Sequence, residues 1–119
     1  MEKQIKNRVQ LMGNLGTDPD VREFEGGRCL ARFRVATNEK FIYGDGLSKE
    51  ETQWHSVVAW GRVAEKVAQQ LQKGSKLSLE GRLVHRVYET KDGQKRYVTE
   101  VVMNSFAMIA QQEEVADAA

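Results

Sequence analysis

The chain has 119 residues, 40% of them hydrophobic and 29% charged, with a formal net charge of +1. That length predicts one domain, and the composition can fill a core while keeping the surface well solvated. No run of about 18 apolar residues is present to cross a bilayer as a helix. Residues 1–7 are polar and charged, so a secretion signal is not expected, and a cytoplasmic setting is. Cys29 is the only cysteine, which excludes an internal disulfide and suits a reducing compartment. With two histidines beside it, the supply of zinc ligands is poor; no metal or cofactor is expected.

The small net charge hides an asymmetry. Residues 106–119 hold Glu113, Glu114 and Asp117 and no lysine or arginine, leaving the rest with 18 basic against 14 acidic residues. An anionic partner is permitted but not demanded by that balance.

In chain order, residues 8–13 predict a first strand with Val9 and Leu11 on one face. It ends at Gly13-Asn14-Leu15-Gly16-Thr17-Asp18-Pro19, a turn where glycine supplies positive-φ conformations. Glu25-Gly26-Gly27-Arg28 marks another turn. Over 29–37, Cys29, Ala31, Phe33 and Val35 point one way and Arg32 and Arg34 the other, a half-buried strand with a basic outer face. Residues 43–51 read as a polar loop opened by Gly44-Asp45-Gly46. Residues 52–60 form the third strand, with Trp54, Ser56, Val58 and Trp60 on one face because strand side chains repeat every two residues.

The period then changes. Val63, Ala64, Val67, Ala68 and Leu71 make a helical stripe over 62–73, stopped by Gly74 with Lys73 at the negative end of the helix. Residues 76–89 predict a long fourth strand, with Leu77, Leu79, Gly81, Leu83 and Val87 on one face and Arg82, Arg86 and Tyr88 on the other. Asp92-Gly93 marks a tight hairpin. Residues 96–109 return as the fifth strand, with Tyr97, Thr99, Val101 and Met103 on one side. Residues 1–110 are thus one domain, and 111–119 a short, disordered acidic tail. Five strands with one helix between the third and fourth is the all-β layout of the OB-fold, a five-stranded Greek-key barrel. An open meander with one covering helix uses the same elements; the helix placement favours the barrel.

Catalytic motifs are lacking. Gly74-Ser75-Lys76 has the wrong order for a phosphate loop and follows a helix instead of opening one. Gly44-Asp45-Gly46 has no helix behind it to aim backbone donors. His55 and His85 sit on strands with no nucleophile placed to use them, and the carboxylates are scattered. An enzyme is not expected.

Aromatic and cationic side chains give the positive signal. Single-stranded nucleic acid can be held by stacking aromatics on bases and setting cations along the phosphates. Trp54 and Trp60, six residues apart, project from the same side of one strand. Tyr88 shares a side with Arg82 and Arg86, and Phe41 stands beside Lys40 at the base of the polar loop. The competing structural reading makes the tryptophans core residues and Tyr88 part of a solvated strand face. It leaves Arg32, Arg34, Arg82 and Arg86 with no obvious acidic cross-strand set to neutralise them.

These residues resemble the bacterial single-stranded DNA-binding protein family. Val9-Gln10-Leu11-Met12-Gly13-Asn14-Leu15-Gly16 with Asp18-Pro19 is similar to its first strand and turn. Thr52-Gln53-Trp54-His55-Ser56-Val57-Val58-Ala59-Trp60-Gly61 is similar to its central strand. Leu71, Lys73-Gly74-Ser75, Leu79-Glu80-Gly81-Arg82-Leu83, Arg96-Tyr97 and Thr99-Glu100-Val101-Val102 extend the likeness over residues 8–104. It implies sequence-independent binding and protection of single-stranded DNA in replication, recombination and repair, by a homotetramer around which the DNA wraps.

Carried over by position, the resemblance implies base stacking by Phe41, Trp54, Trp60 and Tyr88. Phe41 and Tyr88 stand where a familiar pattern has tryptophan, and Trp60 where it has phenylalanine. Arg8, Arg34, Arg62, Lys73, Arg82 and Arg86 are the expected phosphate contacts; Arg8, Arg62 and Lys73 match basic family positions, and the others rest on facing and charge. His55 aligns with a subunit-contact histidine, against the plainer reading of a hydrogen-bonded strand residue. The family's linker and acidic tip with a terminal Pro-Phe have no counterpart in Gln111-Gln112-Glu113-Glu114-Val115-Ala116-Asp117-Ala118-Ala119, so recruitment of replication and repair proteins through such a tip is not expected. The alternatives are a primosome-type accessory protein on the same barrel and a protein-interaction OB module.

Overall fold

A computed structural model describes residues 5–110; the expected acidic tail at 111–119 lies outside the described residues. Six strands and one helix follow in the order β1 (Val9–Leu15), β2 (Asp20–Phe24), β3 (Arg28–Ile42), β4 (Ser48–Trp60), α1 (Gly61–Gln70), β5 (Lys76–Glu89) and β6 (Lys95–Met108). Alternation places Phe33 and Val35 of β3, Val57 of β4, Leu77 and Leu79 of β5, and Val101 and Met103 of β6 in one core. Ala64 and Val67 on the apolar stripe of α1, with Leu71 just beyond it, join that core.

The sheet closes on itself. β1 pairs with β5, β5 with β6, β4 with β3, and β3 returns to β1 through Asn14↔Ala36 and Leu15↔Val35. The remaining seam is parallel and short, with only Val57↔Val101 and Val58↔Val102 between β4 and β6. This closed five-strand barrel with its single helix between β4 and β5 is the expected OB-fold.

Several local readings need correction. β2 is a sixth strand, paired along the outer side of β3 from Asp20↔Arg32 to Phe24↔Arg28. Of its residues only Val21 is even partly buried, so its sequence lacks an apolar alternation. The first strand runs on to Leu15, and Gly13 lies within it instead of opening a turn. A Cβ at Gly13 would collide with the carbonyl oxygen of Ala36, so glycine is what lets β1 and β3 meet. The polar loop shrinks to residues 43–47, because β3 and β4 continue past the buried Thr37 as a largely exposed ladder from Asn38↔Thr52 to Ile42↔Ser48.

The helix ends at Gln70, capped by the Leu71 N–H donating to the Val67 carbonyl. Gly74, with φ +89°, therefore serves the following turn and not the helix end. There the Gly74 N–H donates to the Leu15 carbonyl, tying this turn to β1. Leu83 and Val87 are exposed instead of inward-packed, because the β5–β6 hairpin extends past the barrel.

Candidate nucleic-acid interface

One outer face gathers most of the predicted residues. The pairing Arg32↔Val58, Val58↔Val102 and Arg82↔Val102 sets a row across β3, β4, β6 and β5, with a guanidinium at each end and valines between. Residues two positions away keep the same facing, so Arg34, Trp54, Ser56 and Trp60 share this side with Arg86 and Tyr88. Trp54 and Trp60 are each 50% exposed and Tyr88 47%, too open for core residues. The reading of the tryptophans as buried structure is set aside.

Trp54 is held from two directions. Its six-membered ring lies against Gly16, in the bend between β1 and β2. The Arg34 Cζ sits 5.2 Å from its ring centroid, within cation–π range. Arg34 is therefore engaged with the aromatic as well as open to an anion.

Phe41 is placed differently. It is 40% exposed and pairs with Lys49 on the β3–β4 ribbon beyond the barrel. With Ala36 opposite Trp54 and Phe41 five positions beyond Ala36, an odd offset, the two rings point to opposite faces of that ribbon. Three of the four predicted rings share a face and the fourth does not.

The cations also divide. Among the described residues, the side chains of Arg62, Lys73 and Arg82 are exposed and carry no ion pair. Arg8 is paired, its Nε 2.9 Å from Glu80 Oε2. Arg86 is engaged too, and this corrects the expectation that no acid neutralises the strand arginines. Glu100, only 5% exposed on β6, accepts from Arg86 Nε at 3.0 Å and Nη2 at 2.9 Å, and from Arg32 Nη1 at 3.1 Å. The hydrogen bonds from Arg86 hold the Glu100 carboxyl below its usual range despite burial, and Glu100 in turn raises Arg86.

His55 Nε2 is 2.9 Å from Thr37 Oγ1, the hydrogen-bonded strand histidine of the plainer reading. His85 is likewise paired with Thr99 at 2.9 Å. Sequence reasoning missed Glu100, Arg32 and Gly16 as organisers of the face. The adjacent-strand placement of Arg86 and Glu100 was recoverable from the predicted hairpin; the contacts of Arg32 and Gly16 depend on barrel closure and left no local signal.

The comparisons agree with this architecture. Residues 6–109 match the family described as the single-strand binding protein family. The single-stranded DNA-binding protein 1 of Chlorobaculum tepidum is 41% identical over 104 residues, covering 87% of this chain and 64% of that protein. The chain thus spans under two thirds of that relative's length. A Plasmodium falciparum SSB solved in complex with ssDNA superposes with a TM-score of 0.83 at 26% identity, covering 92% of this chain and all of that one. With the match running through the barrel and its aromatic face alike, the chain belongs to the single-strand binding protein family.

Proposed function

We propose that this chain binds single-stranded DNA with little sequence preference, as a protecting protein of replication, recombination and repair and not as an enzyme, in the cytoplasm. One observation carries the reading: three half-exposed rings, Trp54, Trp60 and Tyr88, share a barrel face bordered by arginines. Bases stack on such rings at roughly 1–3 kcal/mol each, whatever their identity, because every base has a π-face. Arg34, Arg62, Lys73 and Arg82 supply charge to the backbone, and Arg86 adds the donors that Glu100 leaves unused. Arg8 joins them where phosphate replaces its exposed Glu80 partner. Phe41 stacks a base where the strand turns around the β3–β4 ribbon.

The reading includes assembly as a homotetramer. β1 pairs with β5 along 9–14 and with β3 through Asn14 and Leu15, so among the described residues one edge of 9–13 has no strand beside it and is open to another chain. Beside it lies a hollow of about 500 Å³ where Leu11, the exposed Met12 and Phe106 alternate with Gln10, Glu80 and Ser105, a mixed apolar and polar surface that a second copy could cover. His55 is the further contact that this assembly would use. Linked barrels raise the effective concentration of each site for the next stretch of DNA, which favours wrapping.

The test is competition. A labelled oligo-dT should form a complex that unlabelled single strands displace and duplex DNA of the same length does not. Displacement by duplex at equal concentration, or no complex at micromolar protein and low salt, would remove the reading. Mass measured during a poly-dT titration reports the subunit number at once, and a stoichiometry of one barrel per DNA would favour the accessory-protein alternative.

A further inference from the structure

Glu100 is an unusual residue to find beneath a surface meant for an anion. It is nearly buried, it is ionised by its partners, and its side chain faces outward from β6 between Val98 and Val102. Arg86 reaches it from β5 with two parallel bonds, a fork geometry that fixes the guanidinium plane. Arg32 reaches it from β3, across the whole width of β4. Both arginines touch the same oxygen, Oε2, at 3.1 and 2.9 Å, so the two guanidinium groups are drawn together over the parallel seam.

The donors do not run out there. A guanidinium has five N–H groups; Arg86 uses two on Glu100 and Arg32 one. The arginine side chains remain 46% and 42% exposed while the carboxylate beneath them is 6% exposed. The remaining N–H groups make no bond to Glu100, and the exposure of both side chains leaves them accessible to a ligand from solvent. The cluster as a whole carries one net positive charge.

We propose that Arg32 and Arg86 together form a phosphate-binding pair, and that Glu100 is its positioning residue. This deepens the function proposed above and rests on it. The ligand is a phosphodiester of the DNA backbone, accepted by the remaining N–H groups of both arginines while Glu100 holds them from behind. The site lies between the rings of β4 and Tyr88 on β5, so a phosphate there links bases stacked on the two sides.

Electrostatics alone predicts the opposite effect of removing Glu100, and this makes the proposal sharp. Glu100→Gln deletes a negative charge from the binding face, which by simple attraction should tighten binding. A positioning role predicts weaker oligo-dT binding, with the dependence of log K on log salt shallower by about 0.7, one phosphate's worth for a single strand. Arg32→Ala leaves the two-bond Glu100–Arg86 pair intact and should flatten the slope by the same amount. Combined with Glu100→Gln, it should add nothing further. Thermal melting of both variants guards against misfolding, and the exposed Arg32 keeps the test available if Glu100→Gln unfolds. Tighter binding by Glu100→Gln, or a parental slope in folded Arg32→Ala, would overturn the assignment. A parent chain that ignores oligo-dT altogether would instead refute the proposed function.

Discussion

The Trp54 ring rests on Gly16 so closely that a Cβ there would stand 2.5 Å from Cζ3 and 2.7 Å from Cη2. The backbone of Gly16 is not in a positive-φ conformation, so alanine meets no conformational strain. The whole consequence of Gly16→Ala therefore falls on the ring. It should tilt Trp54 off its seat, shift its emission in the free protein, and weaken oligo-dT binding by about 1 kcal/mol, the lower end of one stacking contact. Melting temperature should stay near the parent's, since the ring is half exposed.

Removing a ring outright should cost more binding and no more stability. Trp54→Ala and Tyr88→Ala are each expected to lose roughly 1–3 kcal/mol of oligo-dT affinity. Their unfolding free energies should change by no more than about 0.5 kcal/mol, as for other surface positions. Calorimetric titration with denaturant melts on the same samples separates the two quantities. Parental affinity in both folded variants would show that bases dock elsewhere.

The buried carboxylate makes stability depend on acid. Glu100 is held below its ordinary 4.5, chiefly by the hydrogen bonds from Arg86. The unfolded chain then binds the proton first, so the contribution is full above about pH 5 and is lost as pH falls through the depressed folded value. In Glu100→Gln that part of the acid transition should vanish, with a loss at neutral pH of about 1–3 kcal/mol for the broken charged network. Urea unfolding at pH 7, 5 and 3 measures both. Equal acid sensitivity of parent and variant would place the titrating group elsewhere.

Gly81 offers a purely structural prediction. The β5–β6 register slips between Glu80 and Gly81, and a Cβ at Gly81 would collide with the Val102 carbonyl. The obstacle is backbone, which cannot swing aside as a side chain can. Gly81→Ala should therefore destabilise the barrel by about 1–3 kcal/mol, the usual range for overpacking. An unchanged urea midpoint would contradict the tightness of this crossing.

Much of the barrel was legible because its strands are half buried. Cys29, Ala31, Phe33 and Val35 alternate with Arg32 and Arg34, and that period of two marks both the strand and its outer face. β2 and the outer ladder of β3 and β4 were not legible: β2 packs only Val21 against the core, the ladder from 38 to 42 is exposed on both faces, and no apolar period survives in either. The site followed the same rule. Trp54, Trp60 and Tyr88 could be placed by counting along single strands. The meeting of Arg32 with Glu100 depends on which strands become neighbours when the sheet closes, and the contact between Gly16 and Trp54 on how the first bend folds back.

In the proposed binding mode, bases stack on exposed rings while arginines and lysines hold the phosphates. Tryptophan emission followed during a poly-dT titration, repeated at increasing salt, tests both halves together. Stacking and phosphate contacts together should give strong quenching and an affinity that falls linearly in log K against log salt, with a slope of about −0.7 for each phosphate engaged. Unchanged emission at saturating poly-dT, or an affinity indifferent to salt, would contradict it.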